Sequence, residues 1–462
     1  MWRDVLIALA PAFPALGAFL LAALRLRRNP PSERLIALIA SLSLALSGAS
    51  VIFAAGRFLA GGMAPLDVRL GHWFQTGDYG FALVFLVDSA SLPCALLAAV
   101  LLLATSRFSA NYLHREPGFH RFFALVLAFA AGIQLLLLGG SLDLVFAGWE
   151  VVGLTSVLLV GFFHDRAGPV RAAIRVLVTY RICDVGLLLA AVLLHHERHT
   201  TVFADALRAP HEHAGSWGAA ALGLSLLVAA MGKSAQFPVG GWLPRAMEGP
   251  TASSAVFYGG LSVHAGVFLL IRTAPFYEHA PVVRVALVIV GLVTAVMASL
   301  SGQVSPDAKA SLAYATIAQV GLMFVECGLG LPKLALLHLV THAILRYYQF
   351  LRTPSVLQDA LARRSALRAT EADESAARWE LFGVELRRYL YRLAIERFEV
   401  EATLERWVAR PALALSARLD ALERGVMDRP DAPRHSVEMG IPEIGNLAQG
   451  AGNKAPTPRG NA

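Results

Sequence analysis

Ionisable side chains lie inside several apolar stretches that are long enough to cross a membrane. They are Glu150, Arg181, Asp184, Lys233, His264, Lys309, Glu326, His338, His342 and Arg346. A charged group is costly inside a bilayer, so an ionisable residue there indicates an ion or proton path by default. A series of Glu, Lys and His residues on successive helices has the composition that a proton relay needs, because buried lysine and glutamate side chains titrate nearer to neutral pH. Any one of these residues could instead be a structural hydrogen-bonding group.

The segment 231–251, MGKSAQFPVGGWLPRAMEGPT, combines a lysine with a predicted break in a helix. Lys233 lies near the end of an apolar run, and Pro238 and the Gly-Gly pair after it interrupt the helix. Broken backbone inside a membrane is tolerated only beside protein or a water-filled cavity. The lysine therefore either belongs to an ion site or extends to the membrane surface. If Glu150 lies nearby, the two groups would form a pair whose separation changes the protonation of Lys233.

Two further sets of polar residues share a helix face. Arg181 and Asp184 are three residues apart and could pair. His338, His342 and Arg346 follow one another at intervals of four and form one polar stripe. The two histidines have the spacing of metal ligands, but no carboxylate or cysteine in that helix completes a zinc site.

No dinucleotide-binding, phosphate-binding or hydrolase motif occurs in the chain. The histidines in the region 195–213 could bind a metal, although a solvated loop is the simpler interpretation. Cys94, Cys183 and Cys327 form no CxxC pair and support neither a metal cluster nor a disulfide framework. We therefore expect no cofactor, no metal and no catalytic residue in this chain.

Composition indicates that lipid surrounds much of the protein. Of 462 residues, 56% are hydrophobic and 16% are charged, and the mean hydropathy is +0.57. Soluble chains carry about 25% charged residues. Runs of 18 or more apolar residues recur, which is typical of a polytopic helical membrane protein. The net charge of +7 is then explained by basic cytoplasmic loops, not by nucleic-acid binding.

We predict an all-α transmembrane bundle of about eleven spans with a discontinuous seventh helix, followed by a cytoplasmic helical tail. The spans are predicted at 4–24, 35–56, 80–104, 121–139, 142–163, 172–195, 217–236, 252–272, 282–301, 308–329 and 333–351. The first is expected to be a span and not a cleavable signal, because no clear cleavage site follows. Arginines concentrate in the loops after the first, third and fifth spans, so the N-terminus is expected outside and the tail in the cytoplasm.

The chain divides into three predicted parts. Residues 1–352 form the transmembrane domain and residues 353–429 an amphipathic helical tail, while residues 430–462 are rich in Pro, Gly and Asn and are expected to be disordered. Within the tail, the segment 376–408 has a helical pattern that Pro411 ends. This helix could lie on the membrane or a partner, or form a soluble helical pair with the amphipathic segment that follows.

The motifs resemble those of the antiporter-like subunits of respiratory complex I, specifically the large distal L-type subunit. The same superfamily includes Mrp-type cation/proton antiporter subunits and the membrane partner of a two-protein inorganic-carbon uptake system. The matching stretches are LVDSASL around Asp88, GWEVVGLTSVLLVGFF, RICDVGLLLA, GKSAQFPVGGWLPRAMEGPT, DAKASLAYATIAQVGLMF and HLVTHAILRYYQFL. They follow the order and approximate spacing of the family over residues 80–352.

The resemblance implies roles for individual residues. It assigns Glu150 and Asp184 to the acidic positions of the fifth and sixth helices and Lys233 to the lysine of the broken helix. Lys309 corresponds to the lysine of the DxK motif, and His338 and His342 correspond to the histidines of the eleventh helix. In the family such groups form a hydrated central axis that is coupled to a partner.

The chain also departs from the family pattern. Tyr258 occupies the position of a common family histidine, and His264 follows six residues later. Arg346 replaces a lysine, and arginine is a poor proton carrier because it resists deprotonation. The family pairs two inverted five-helix repeats, whereas this chain has a complete first repeat at 121–272 and a partial second repeat at 282–351. The second broken helix and the lateral helix are missing.

The resemblance therefore favours a proton-conducting subunit of a complex I-like (NADH-quinone oxidoreductase L-type) assembly in the bacterial cytoplasmic membrane. The proton path would use Glu150, Asp184, Lys233, His264, Lys309, His338, His342 and Arg346. Its partners would be other membrane subunits, the lipid bilayer and protons or monovalent cations. One alternative is an energy-coupling subunit for bicarbonate uptake or a Mrp-type antiporter subunit. Another is a structural subunit that does not conduct, which the missing helices would favour.

Overall fold

Helices dominate the computed structural model, as the composition predicts. It describes residues 2–26, 31–77, 79–208, 216–305, 307–353 and 384–427. The helices of the bundle are α1 (Trp2–Arg25), α2 (Glu33–Ala60), α3 (Ser91–Tyr112), α4 (Phe119–Leu138), α5 (Leu142–Val160), α6 (Ala167–Arg198), α7 (Phe203–Arg208), α8 (Ser216–Lys233), α9 (Trp242–Arg245), α10 (Thr251–Ser253), α11 (Ala265–Tyr277), α12 (Pro281–Gln303), α13 (Ala308–Gly328) and α14 (Pro332–Arg352). The all-α membrane fold is confirmed.

Nine helical segments of the described chain are long and apolar enough to cross a membrane. The other two of the eleven predicted spans are helices with an unusual composition or length. The seventh, α8, is 18 residues long and ends at Lys233. The eleventh, α14, has 21 residues, but its basic side chains and histidines lower its hydropathy. Helices α8 and α14 carry several of the predicted site residues.

The predicted start of the third span at residue 80 is wrong. Residues Tyr79–Val87 form strand β2, which pairs antiparallel with strand β1, Leu66–Thr76. The apolar sequence FALVFLV fits a buried strand as well as a helix, because a short apolar run has no distinguishing periodicity. Helix α3 therefore begins only at Ser91.

Ion pairs join this hairpin region to the bundle. Asp88 Oδ1 accepts a hydrogen bond from the backbone N–H of Ser91 at 2.8 Å, at the start of α3. The same carboxylate forms an ion pair with Arg272 of α11. On β1, Arg69 pairs with Asp205 of α7 at 2.7 Å. The hairpin is thus attached to two separate parts of the helical bundle.

The eighth predicted span is a continuous helical segment with an irregular centre. After α10, residues Ser254–Gly260 form a π-helical turn and Ser262–His264 a 3-10 turn, before α11 continues to Tyr277. Irregular turns of this kind often occur at functional sites. The most apolar 18-residue stretch of this span is fully buried, so the segment runs through the middle of the bundle.

Small residues allow close helix packing around the broken helix. A Cβ added to Gly232 on α8 would lie 2.3 Å from the Cβ of Cys183 on α6. A contact of this length is impossible, so the two backbones can approach closely only because glycine is present. This packing holds the last turn of α8, which carries Lys233, against α6.

The tail is less continuous than its sequence pattern predicts. A helix at Val384–Ile395 packs against α12, and Phe398 then adopts a left-handed conformation with φ 58°. The predicted helix over 376–408 is therefore interrupted, and its first eight residues lie outside the described part of the chain. A separate unit begins at Ala402 and contains a helix at Arg410–Met427. The predicted disordered segment 430–462 also lies outside the described residues.

Candidate functional site

Lys233 is buried where the broken helix ends. Its side chain is 1% exposed, and its Nζ donates a hydrogen bond to the backbone oxygen of Trp149 at 3.2 Å. The same nitrogen lies 4.8 Å from the ring centroid of Trp149 and 4.2 Å from that of Tyr180, within the range of cation–π attraction. A lysine that extends to the membrane surface keeps its ammonium group in water, so this burial argues against that alternative.

The surrounding backbone leaves room for the ammonium group. A Cβ added to Gly153, on α5, would lie 2.8 Å from the Lys233 Nζ. After the break, Ser234 Oγ donates to the carbonyl of Val263 at 2.7 Å, and Gln236 Nε2 donates to the carbonyl of Ser234 at 2.8 Å. Side chains thus supply hydrogen-bond partners where the helix stops, as a broken helix in a membrane requires.

Two carboxylates lie beside this lysine and share one arginine. Arg181 forms ion pairs with Glu150 and with Asp184, the second at 2.8 Å. The predicted pairing of Arg181 with Asp184 is therefore present. The prediction for Glu150 was conditional on its lying near Lys233, and in the structure the ion-pair partner of Glu150 is Arg181. Arg181 projects from α6 to α5 and neutralises the Glu150 carboxylate.

Trp149 connects Lys233 with Asp184. Its backbone oxygen accepts the hydrogen bond from Lys233, and its indole Nε1 donates to Asp184 Oδ1 at 2.5 Å. Trp149 is completely buried. Sequence reasoning placed Trp149 next to Glu150 but assigned no role to it. An indole N–H that is buried normally finds an acceptor, and this rule was the available signal.

A second group of predicted residues meets on the other side of the irregular eighth span. His264 Nε2 and His342 Nδ1 are 2.9 Å apart, and Arg346 Nε donates to His342 Nε2 at 3.1 Å. Because Arg346 can only donate, His342 Nε2 must accept, and neutral His342 then carries its proton on Nδ1. His342 consequently donates to His264. Arg346 therefore orients the histidine pair.

His338 lies one turn from His342 and contacts a different set of groups. Its Nδ1 is 2.8 Å from Glu326 Oε1, and its Nε2 is 3.2 Å from Gln319 Oε1. These contacts place the His338 ring between a carboxylate and a side-chain amide, and its tautomer sets which nitrogen donates. The side chains of His338 and Glu326 are 22% and 17% exposed.

Lys309 lies apart from both groups, at the start of α13. Its Nζ donates to Thr251 Oγ1 at 2.8 Å, and Asp307 caps the helix by accepting from the N–H of Ala310 at 2.8 Å. Both residues line a polar cavity of about 620 Å³, together with Arg171 and Glu248. The DxK sequence lies at the start of this helix, as predicted. Its lysine faces the cavity.

Tyr258 and neighbouring hydroxyl groups lie between the lysine and histidine groups. Tyr258 is 2% exposed, and its hydroxyl donates to the backbone oxygen of Ser156 at 3.4 Å. Ser156 Oγ lies 3.5 Å from Ser262 Oγ. The eight predicted site residues therefore form a lysine–carboxylate group (Lys233, Asp184, Glu150), a histidine group (His264, His342, His338, Arg346) and the separate Lys309.

Comparison with known proteins identifies the architecture. The transmembrane family described as NADH:quinone oxidoreductase/Mrp antiporter matches residues 139–371. The chain belongs to this family. Residues 73–123 also match the N-terminal family of complex I chain 5. The first match contains all eight predicted site residues.

Individual antiporter-family relatives are longer than this chain. NADH-quinone oxidoreductase subunit L of Escherichia coli is 33% identical over 358 residues, which cover 76% of this chain and 57% of the relative. NADH-ubiquinone oxidoreductase chain 5 of Rhizopus stolonifer is 36% identical over 302 residues, covering 64% and 45%. The chain thus spans about half the length of these curated relatives.

Solved structures have the same antiporter-family fold. The Mrp complex from Dietzia sp. DQ12-45-1b matches with a TM-score of 0.65 and 26% identity over 76% of this chain and 37% of the other chain. An archaeal membrane-bound sulfane sulfur reductase matches with a TM-score of 0.64 over 75% of this chain and 70% of that chain, but at 19% identity it supports the fold alone. The protein is an integral, multi-pass membrane protein.

Proposed function

We propose that this chain conducts protons across the bacterial cytoplasmic membrane as a subunit of a complex I-like assembly. The chain spans little more than half of its subunit L relative, and we assign the driving reaction to partner subunits. The chain supplies buried groups that can gain and lose protons. The observation that carries the proposal is the buried Lys233 at the end of α8, which forms no ion pair with a carboxylate among the residues that the structure describes.

The contacts of Lys233 suit a residue that changes its protonation. Aromatic rings and a carbonyl oxygen favour the charged amine, whereas burial disfavours it. Arg181 already neutralises Glu150 and Asp184. A movement of Arg181 away from the carboxylates would expose Lys233 to their negative charge and favour protonation, and its return would favour release. Arg181 would therefore control the lysine through the carboxylates.

The histidine group supplies the next part of the path. In the observed hydrogen-bond direction, His342 donates to His264, and Arg346 occupies the other nitrogen of His342. Passage of a proton through this pair would reverse the hydrogen bond, so that His264 becomes the donor and His342 the acceptor. The hydroxyl groups of Tyr258, Ser156 and Ser262 lie between the two groups and would carry the proton between them. Lys309 and its polar cavity would form the cytoplasmic opening.

Proton uptake by inverted membrane vesicles tests this proposal. The complete assembly that contains the chain is energised with NADH, and a pH-sensitive dye reports acidification of the lumen. Lys233→Ala should abolish acidification while the assembly still forms. Arg346→Lys provides a matched control, because it keeps a positive donor beside His342 and should retain assembly. Unchanged acidification by Lys233→Ala would refute the proposal.

A Mrp-type cation/proton antiporter subunit is the second candidate, favoured by the 26% identity with the Mrp complex structure. Purification of the chain with its natural partners separates the candidates. Redox subunits support the first function, and a set of antiporter subunits without redox centres supports the second. The same experiment covers bicarbonate uptake, for which a large soluble zinc protein would be the partner.

A further inference from the structure

Glu326 and His338 connect the histidine group to one end of the bundle. Glu326 lies two residues before the end of α13, and its backbone oxygen accepts from the N–H of Leu331 in the following turn. His338 lies in the second turn of α14. Glu326 was not among the residues of the predicted proton path. Its ion pair with His338 instead joins it to a residue of the predicted path.

This end of the bundle is opposite the end that carries Lys309. Lys309 and Glu326 are on the same helix, and at 1.5 Å per residue their backbones are separated by about 26 Å. That distance approaches the roughly 30 Å thickness of the hydrocarbon core. A path that begins at Lys309 and ends at Glu326 would therefore extend across the membrane.

Exposure increases along the histidine group in the same direction. His264 is 2% exposed and His342 5% exposed, whereas the side chains of His338 and Glu326 reach 22% and 17%. The ring centroids of His338 and His342 are 6.0 Å apart, so the two side chains are neighbours on one face of α14. The buried pair thus adjoins a partly exposed pair at this end of the bundle.

The Glu326 carboxylate has a free position for a proton. Its Oε1 contacts His338, but its Oε2 is buried and has no hydrogen-bond partner within the described chain. A buried carboxylate oxygen without a partner is costly when charged. On α12, Arg284 donates to the carbonyls of Gly328 and Leu329, which places a fixed positive charge near this end of α13.

We propose that Glu326 and His338 form the terminal proton-exchange site, at the membrane face opposite Lys309. A protonated His338 passes a proton from Nδ1 to Glu326 Oε1, and the Glu326 carboxyl group then releases it to water at this end of the bundle. Neutral His338 is recharged by a proton that has first reached the buried histidine pair from the Lys233 side, and the pair thereby returns to its neutral state. This inference rests on the proposed proton conduction and gives the partial second repeat an outlet within the chain.

Variants of Glu326 test the site in the energised vesicles. Glu326→Gln keeps an acceptor for His338 but cannot exchange a proton, so acidification should fall at least about tenfold. Glu326→Asp should restore a substantial part of it, because a carboxylate is again present. Glu278→Gln is the matched control: this acid follows α11 at the same end of the bundle, its side chain is 57% exposed, and its loss should leave acidification unchanged.

Chemical labelling locates the site across the membrane. The natural cysteines are all buried, so a membrane-impermeant thiol reagent should label Glu326→Cys and Lys309→Cys from opposite sides. Wild-type acidification by Glu326→Gln, or labelling of both variants from one side, would overturn the inference. If Lys233→Ala abolishes acidification while Glu326→Gln does not, the proposed exchange site is refuted and the proposed function is retained. If Lys233→Ala has no effect, the proposed function itself fails.

Discussion

Replacing Lys233 with methionine should remove proton transport without unfolding the protein. Methionine has nearly the length of lysine but carries no charge. The substitution removes one hydrogen bond from a charged donor, worth about 1.5–3 kcal/mol, and two cation–π contacts of about 1–2 kcal/mol each. It also removes the cost of burying an ammonium group, which is several kcal/mol. A thioether beside Trp149 and Tyr180 regains about 0.3–1.5 kcal/mol.

These contributions nearly cancel, because no carboxylate loses its partner. Asp184 keeps its contacts with Trp149 and Arg181, and Glu150 keeps Arg181. The free energy of unfolding of Lys233→Met should therefore differ from wild type by less than about 2 kcal/mol. Arg181→Met is the matched comparison, because it leaves both carboxylates without their cation. A broken buried pair costs about 3–5 kcal/mol, and the half-exposed Arg181 reduces this to about 2–3 kcal/mol.

Two measurements check this contrast. Unfolding in mixed detergent micelles gives the free energy of unfolding, and vesicle acidification gives transport. We expect Lys233→Met to unfold like wild type but to transport nothing, and Arg181→Met to be clearly less stable. Lys233→Arg should also be inactive, because arginine stays charged. A loss of more than about 3 kcal/mol in Lys233→Met, or wild-type transport by Lys233→Arg, would refute the reasoning.

Three further substitutions have outcomes that follow from the packing. Gly153→Ala should displace the Lys233 ammonium group, because the new Cβ would lie 2.8 Å from Nζ. Proton transport should fall, while size-exclusion chromatography should show that the protein still folds. Unaltered transport would contradict this prediction. Gly232→Ala should reduce the yield of folded protein, because its Cβ would lie 2.3 Å from the Cβ of Cys183. Gly56→Ala is the control and should fold like wild type, because no atom lies within 4 Å of the added Cβ. His342→Gln should slow transport at least about tenfold, because it removes the link between His264 and Arg346, and normal acidification would rule out a role for the pair.

Periodicity and hydropathy predicted the bundle well, because each long apolar run must form a helix in lipid. They failed at the hairpin, where the short run FALVFLV had two possible structures. The break after Lys233 was predictable from its proline and glycines. The irregular turns at Ser254–Gly260 were not, because nothing in their local sequence requires a π-helical turn.

The sequence was sufficient to predict which residues form the site, but not which residues contact one another. Polar residues within apolar runs identified Lys233, Asp184 and the histidines. Their partners depend on the rotation and depth of each helix, which one sequence does not determine. For this reason Glu150 was considered as a possible partner of Lys233, whereas its ion pair with Arg181 of α6 was not predicted. Glu326 was undervalued because its partner, His338, is on another helix.

Trp149 makes the position of Lys233 depend on α5. The backbone oxygen that holds the lysine and the indole that holds Asp184 belong to one residue, and the next residue is Glu150, whose side chain is 25% exposed. A neighbouring subunit or lipid that pulls on Glu150 therefore acts one peptide bond away from the fully buried lysine contact. A small rotation of α5 would change the surroundings of Lys233 and Asp184 together. The fold thus provides a short mechanical connection from the surface of the chain to its buried charge.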